Sequence, residues 1–311
     1  MKSLQRLLPL FLFLFAFNHC GLKNIATQAS ARMFYNATPA IDQESDVALA
    51  REASLSSLKV LEGLYLQSPK NKQVLLLLTR AYAGFAYGFT ENRILENRGI
   101  NAAETQEAET RARLFYARGK RYGIELLSLN SNFAKALNQN TETFEKALQS
   151  FTKKDTETLF WTAFAWGNHL NANRDSVEAL GDLPRVEAMM RRVLALDENY
   201  YYGAPHLFLG AYYGGRPKML GGDPDRAREH FEKAIQIGGG KYLMSQVSMA
   251  QFYAVQIQDS ALYQKLLQEV LSADAAALPE QRLSNELAKI RAEILLKRKA
   301  MLFNQALVAN P

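Results

Sequence analysis

From about Gln43 onward the apolar residues recur at intervals of three and four, and no stretch alternates as a half-buried strand would. Leu55, Leu58, Leu61, Leu64 and Tyr65 share one helical face, and Ser68-Pro69 closes that helix. The next segment, about Asn71 to Tyr87, is apolar nearly all round (Val74 to Leu78, Ala81, Tyr82, Phe85). A helix without a polar face lies buried between neighbours. Breakers are scarce: 18 Gly and 9 Pro in 311 residues fall below ordinary usage, which disfavours a many-turned β-sandwich or propeller. The pattern predicts an all-α chain of about ten to twelve helices.

Residues 89–101 read as polar and irregular, followed by a long helix over about 102–129, a shorter pair within 131–150 and an apolar helix over 155–170. Asp182-Leu183-Pro184 offers an N-cap and an early-helix proline, and Asp223-Pro224 is the clearest helix start in the chain. Gly238-Gly239-Gly240 ends that helix, and three more are expected near 242–256, 259–272 and 280–303.

The first twenty residues are of another kind. Lys2 and Arg6 precede an eleven-residue apolar run, Leu7 to Phe17, and Cys20 follows it. That run has the length of a signal-peptide core and is too short to span a bilayer, which takes roughly 20 residues. Cys20 stands where a lipidated cysteine would, although Phe17-Asn18-His19 departs from the usual small-residue lipobox. The alternative is ordinary secretion with cleavage near Ala26 to Ala31. Both readings export the protein. We expect residues 1–20 to be a signal peptide carrying the lipidation site, 21–42 a flexible tether, and 43–305 one helical domain. The lipid would be the membrane attachment, with the fold facing the periplasm.

Composition removes several function classes. A balance of 48% hydrophobic and 22% charged residues is that of a folded protein. The formal charge of +6 is spread along the chain without the basic stripe that nucleic-acid binding needs. One cysteine excludes a disulfide framework, and His19, His169, His206 and His230 lack metal-ligand spacing, so neither metal nor cofactor is expected. Glu91, Glu96 and Glu104 are the carboxylates to test for glycan hydrolysis, which needs two flanking a cleft. No Ser-His-Asp or Cys-His grouping is recognisable, and we expect no catalysis. His230 is expected at the surface.

A degenerate helix-pair repeat is discernible. Pro69, Leu75, Leu78-Thr79 and Tyr82 have tetratricopeptide-like spacing. Leu209-Gly210 with Tyr213, then Ala227, Phe231 and Ala234, give a second instance, and Met249-Ala250, Tyr253, Leu267 and Val270 a weaker third. Such pairs stack into a curved solenoid whose concave face binds a partner. The alternative is a non-repetitive helical bundle.

Three blocks resemble the TRAP-transporter T-component family over about residues 45–300. They are Val74 to Phe89; Leu159 to Gly167 with Leu183 to Met190; and His206 to Tyr213 followed by Pro217-Lys218-Met219-Leu220-Gly221-Gly222-Asp223-Pro224. The last is the most specific, because generic tetratricopeptide units lack that insertion. The resemblance implies an exported, non-catalytic lipoprotein, assembled as a homotrimer, that docks a periplasmic solute-binding protein of a TRAP uptake system. It also implies a hydrophobic pore or cavity in each subunit for an apolar or amphipathic solute. The competing reading is a general adaptor lipoprotein for envelope assembly.

Tyr82, Phe85, Phe89, Trp161, Phe164, Trp166, Tyr212 and Tyr213 are the candidates to line such a cavity, the alternative being ordinary core packing. Arg216, Pro217, Met219, Leu220, Gly221 and Gly222 form a loop longer than most helix–helix connections, suited to a cavity mouth or a subunit contact, or simply a surface insertion. Tyr200, Tyr201 and Tyr202 are consecutive and on a regular helix could not all turn inward, so at least one is expected to be exposed.

Overall fold

The computed structural model describes residues 25–303, so the leader and Cys20 lie outside the described residues. Among the described residues the chain is helical without strands. The elements are α1 (25–37), α2 (Pro39–Asp42), α3 (Val47–Gln67), α4 (Lys72–Phe85), α5 (Glu91–Asn97), α6 (Ala102–Leu127), α7 (Ser131–Ala136), α8 (Thr141–Leu148) and α9 (Thr156–Ala172). They continue as α10 (Val177–Gly181), α11 (Leu183–Leu196), α12 (Tyr200–Gly214), α13 (Pro224–Ile237), α14 (Met244–Ser248), α15 (Ser260–Ser272), α16 (Arg282–Lys297) and α17 (Lys299–Phe303). Two π-helical segments, Ala86–Thr90 and Met249–Ala254, extend α4 and α14.

Local chemistry sets these boundaries. Asp46, Asn71, Asn101, Asn130, Asn140 and Asp223 each cap a helix by accepting from backbone N–H groups of its first turn. Pro224 follows Asp223 where a missing N–H does no harm, and Gly238 to Gly240 stop α13, the last two with positive φ. Asp182 behaves otherwise. Its side chain makes no cap bond and instead receives Trp166 Nε1 at 3.1 Å, Lys120 at 3.4 Å and Arg185 at 3.0 Å. Tertiary partners outcompete the local N–H groups.

Helices pack largely in chain order. α4 lies on α3, α6 and α9; α9 on α6, α11 and α12; and α12 on α13 and the second π-helical segment. α16 then returns to α2, α3, α5 and the first π-helical segment, so the succession closes on itself instead of ending as an open stack. One continuous buried cluster runs through it from Ala31 to Leu295.

Two stretches differ from the sequence reading. The described part of the expected tether is helical: Ala31 is fully buried, and the Tyr35 hydroxyl donates to Glu157 Oε2 at 2.8 Å. Its polar and small residues suggested solvent, but they pack on the fold. Residues 89–101 are not irregular either, since α5 occupies most of them, with Asn92 and Ile94 buried.

Candidate functional site

Helix α9 packs against both α4 and α12. At one end Arg80 of α4 lies 5.3 Å from the Trp161 ring of α9 and 6.0 Å from the Tyr201 ring of α12. Toward the other end Arg216, just beyond α12, reaches Asn171 of α9 at 3.5 Å. The inner faces of these helices, with both π-helical segments, α1, α2 and α16, surround a cavity of about 790 Å³. That volume suits a small organic molecule, for which pockets of about 300–1,000 Å³ are usual.

The wall is mostly apolar and aromatic, including Phe34, Phe85, Phe160, Phe164, Phe208 and Phe252. Both π-helical segments reach it. Each inserts an extra residue into a helical turn, a device common at functional sites. Tyr87 of the first and Ser248, the last residue of α14 just before the second, approach to 3.4 Å between hydroxyls. Gly88 allows the first segment to sit against α16, since a Cβ there would come within 2.9 Å of Leu287 Cδ1. On the second segment, Gln251 Oε1 is buried and lacks a hydrogen-bond partner among the described residues, although an acceptor so placed ordinarily has one.

α12 begins with left-handed backbone at Tyr201 (φ 45°), Tyr202 (φ 59°) and Gly203 (φ 79°). For the two tyrosines this conformation is strained, by about 1–3 kcal/mol each. It departs from helix geometry, and Tyr200, Tyr201 and Tyr202 are all half-buried with none exposed, contrary to the expectation from a regular helix. The Tyr201 hydroxyl donates to Gln281 Oε1 at 2.8 Å, and its ring meets Trp161 edge-on. At this end Arg80 is paired with Asp42 at 2.5 Å. Burial holds the Asp42 carboxyl above its ordinary range against the attraction of Arg80.

Glu91 lies on the wall toward the other end. It accepts from the Tyr116 hydroxyl at 2.5 Å and stands 3.7 Å from the buried Arg291, which also donates to Asn92 Oδ1 at 2.6 Å. Burial raises the Glu91 carboxyl. Glu96 is exposed and Glu104 pairs with Arg93, so the three carboxylates singled out in the sequence do not meet at one cleft. No group of three or more His, Cys, Asp or Glu side chains is placed to hold a metal among the described residues.

Of the candidate lining residues, the cavity brings together Phe85, Phe89, Trp161, Phe164 and Tyr212. Tyr82, Trp166 and Tyr213 are buried elsewhere and fastened to carboxylates. The Tyr82 hydroxyl donates to Glu62 at 2.6 Å, Trp166 to Asp182, and the Tyr213 hydroxyl to Glu187 at 2.7 Å. The loop divides similarly. Arg216 lines the cavity, whereas Pro217, Met219, Leu220 and Gly221 are exposed, Met219 at 88%. Gly222 lies so close to the Arg216 carbonyl that a Cβ would come within 1.9 Å of it. His230 is half-buried rather than superficial, its Nδ1 being 2.9 Å from His206 Nδ1.

Sequence reasoning missed Arg80, Tyr201 and Arg174 on the wall. Arg80 carried a readable signal, as the one charged residue within the apolar run Val74 to Tyr87. Among the described residues no helix is long and apolar enough to cross a membrane.

Comparison with known proteins agrees with the block pattern. The family model described as TRAP transporter T-component matches residues 43–303. An uncharacterized protein of Treponema pallidum (strain Nichols) is 26% identical over 266 residues, covering 83% of this chain and 80% of that relative.

Proposed function

This chain belongs to the TRAP transporter T-component family and is an accessory component of TRAP-type transport; from that premise we propose that it docks the periplasmic solute-binding protein and takes an apolar organic solute into its cavity. The observation that carries the reading is the 790 Å³ space walled by aromatic rings between these helices. Burying an apolar molecule there would gain roughly 25 cal/mol per Å² of surface removed from water. The strained turn at Tyr201 and the two π-helical segments support it, since all three shape the wall.

The finer organisation is part of the same proposal. Residues 43–305 act as one domain built from degenerate tetratricopeptide-like helix pairs. The signal peptide directs export, Cys20 carries the lipid that anchors the protein to a bacterial membrane with the fold in the periplasm, and three copies assemble. The exposed Met219 and Leu220 supply an apolar contact for assembly or docking. The protein works without catalysis.

The test is to mix the purified protein with its cognate TRAP solute-binding protein in analytical ultracentrifugation. The expected result is a trimer that gains mass when the binding protein is added. Two species sedimenting independently across micromolar concentrations would contradict the docking role.

A further inference from the structure

The two ends of the cavity differ in charge balance. Arg80 is neutralised by Asp42. At the far end Arg98, Arg113, Arg174 and Arg216 line the rim together with Glu109 and Asp175. Glu109 is engaged by Arg98 at 3.0 Å and Arg113 at 3.6 Å. Glu91, on the same stretch of wall, is held by Arg291 at 3.7 Å and by the Tyr116 hydroxyl. Asp175 makes no ion pair within 4 Å among the described residues, and neither do Arg174 and Arg216, so beyond the paired groups two cations face one carboxylate.

Asn171 holds the two free arginines together. Arg174 Nε donates to its carbonyl at 3.2 Å, and Arg216 Nη2 to its side-chain oxygen at 3.5 Å. Arg216 Nη1 also donates to the Tyr212 carbonyl at 2.5 Å, and its guanidinium lies 3.9 Å from the centre of the Tyr212 ring. A guanidinium has five N–H donors. Neutral acceptors satisfy three of the ten here and leave the charge uncompensated. Burial, and after it the charge of Arg174, keeps the Arg216 pKa below its ordinary value. Two like charges fastened side by side at the mouth of an apolar space are stabilised by an anion between them.

We propose that the Arg174–Arg216 rim seats the oxyanion head of an amphipathic ligand whose apolar body lies along the aromatic wall toward Trp161. Ten residues of α9 separate Trp161 from Asn171, about 15 Å at the helical rise, which is room for an extended aliphatic or aromatic tail. The inference rests on the proposal that the cavity takes a solute, and it adds the charge and orientation of that solute.

The experiment measures binding of dodecanoate and of uncharged dodecanol to the wild-type protein and to an Arg174→Met/Arg216→Met variant, with thermal unfolding to show that the variant is folded. Wild type is expected to favour dodecanoate by about tenfold to a hundredfold, the worth of one or two charge-assisted hydrogen bonds, and the variant to bind both alike. Equal wild-type affinity for acid and alcohol would overturn the anion seat and leave the cavity's role standing. A preference for acid that persists in the variant would place the seat elsewhere and overturn the assignment. Failure of both probes to bind wild type would overturn this inference and the cavity reading together. Should the double variant fail to fold, Arg216→Lys reads the same term: it keeps the charge, loses the fork, and is expected to retain only part of the preference.

Discussion

Two aromatic clusters in this molecule have similar composition and opposite outcomes. Phe133, Phe144 and Phe151 meet with ring centroids 5.5 and 5.9 Å apart, and Phe144 touches Trp166, leaving all four rings nearly without exposure. Phe160, Trp161, Phe164 and Tyr201 also meet ring to ring, at 5.2 to 6.4 Å, yet one side of the group borders open space. Ring chemistry does not distinguish them. The first cluster sits between short helices free to close on it. The second is held apart by features that resist collapse: the left-handed turn at Tyr201, the widened π-helical turns and the Arg80–Asp42 pair.

The contrast can be broken by mutation. Phe144→Ala removes a fully buried ring from the closed cluster and should lower stability by about 3–5 kcal/mol in urea unfolding. Phe164→Ala, half-buried beside the cavity, should lose less than about 2 kcal/mol, because its ring already lacks partners on one side. Equal losses would mean that the cavity wall is packed like the core.

The charged strut sharpens the same point. Asp42→Leu leaves Arg80 without its counter-ion and should cost about 3 kcal/mol, while Asp42→Leu/Arg80→Met should recover most of that in the same unfolding assay. Recovery would show the pair serving shape rather than net stability.

A smaller effect comes from the histidine pair behind α12. Burial holds both rings below the ordinary value, and His230 is lowered to about 4. The unfolded chain takes up protons near pH 6.5, where the folded pair does not. This contribution is therefore full above pH 6.5 and is lost as pH falls from there toward about 4. His230→Gln should flatten the melting-temperature profile across that window while leaving the Phe144 and Phe164 effects unchanged.

The last effect is local to the loop. Gly222→Ala drives a Cβ into the Arg216 carbonyl, a backbone group, so the segment must move, at a cost of about 1–3 kcal/mol. It should also reduce the preference for dodecanoate over dodecanol by displacing Arg216.

The all-α fold was legible because periodicity reports burial directly, and Asp223-Pro224 and the glycine stop of α13 marked themselves by local chemistry. Five of eight aromatic candidates reached the cavity. The other three were indistinguishable in sequence because periodicity says that a ring turns inward, not whether anything fills the space beyond it. Tyr82, Trp166 and Tyr213 are distinguished by distant carboxylates, Glu62, Asp182 and Glu187, whose approach only the fold reveals. The inward turn of Tyr200 to Tyr202 was hidden because helical spacing presumes helical backbone, and here the φ angles are left-handed. The pairing of Arg174 with Arg216 joins residues 42 positions apart through Asn171, a contact without sequence periodicity.

The two tryptophans offer the most direct test. Trp161 faces the cavity and Trp166, five residues later, is sealed against Asp182. A brominated aliphatic probe quenches only a ring it touches. In Trp166→Phe protein, fluorescence from Trp161 should be quenched saturably, whereas in Trp161→Phe protein Trp166 should stay bright. Equal quenching of both, or of neither, would show that apolar molecules do not occupy this space.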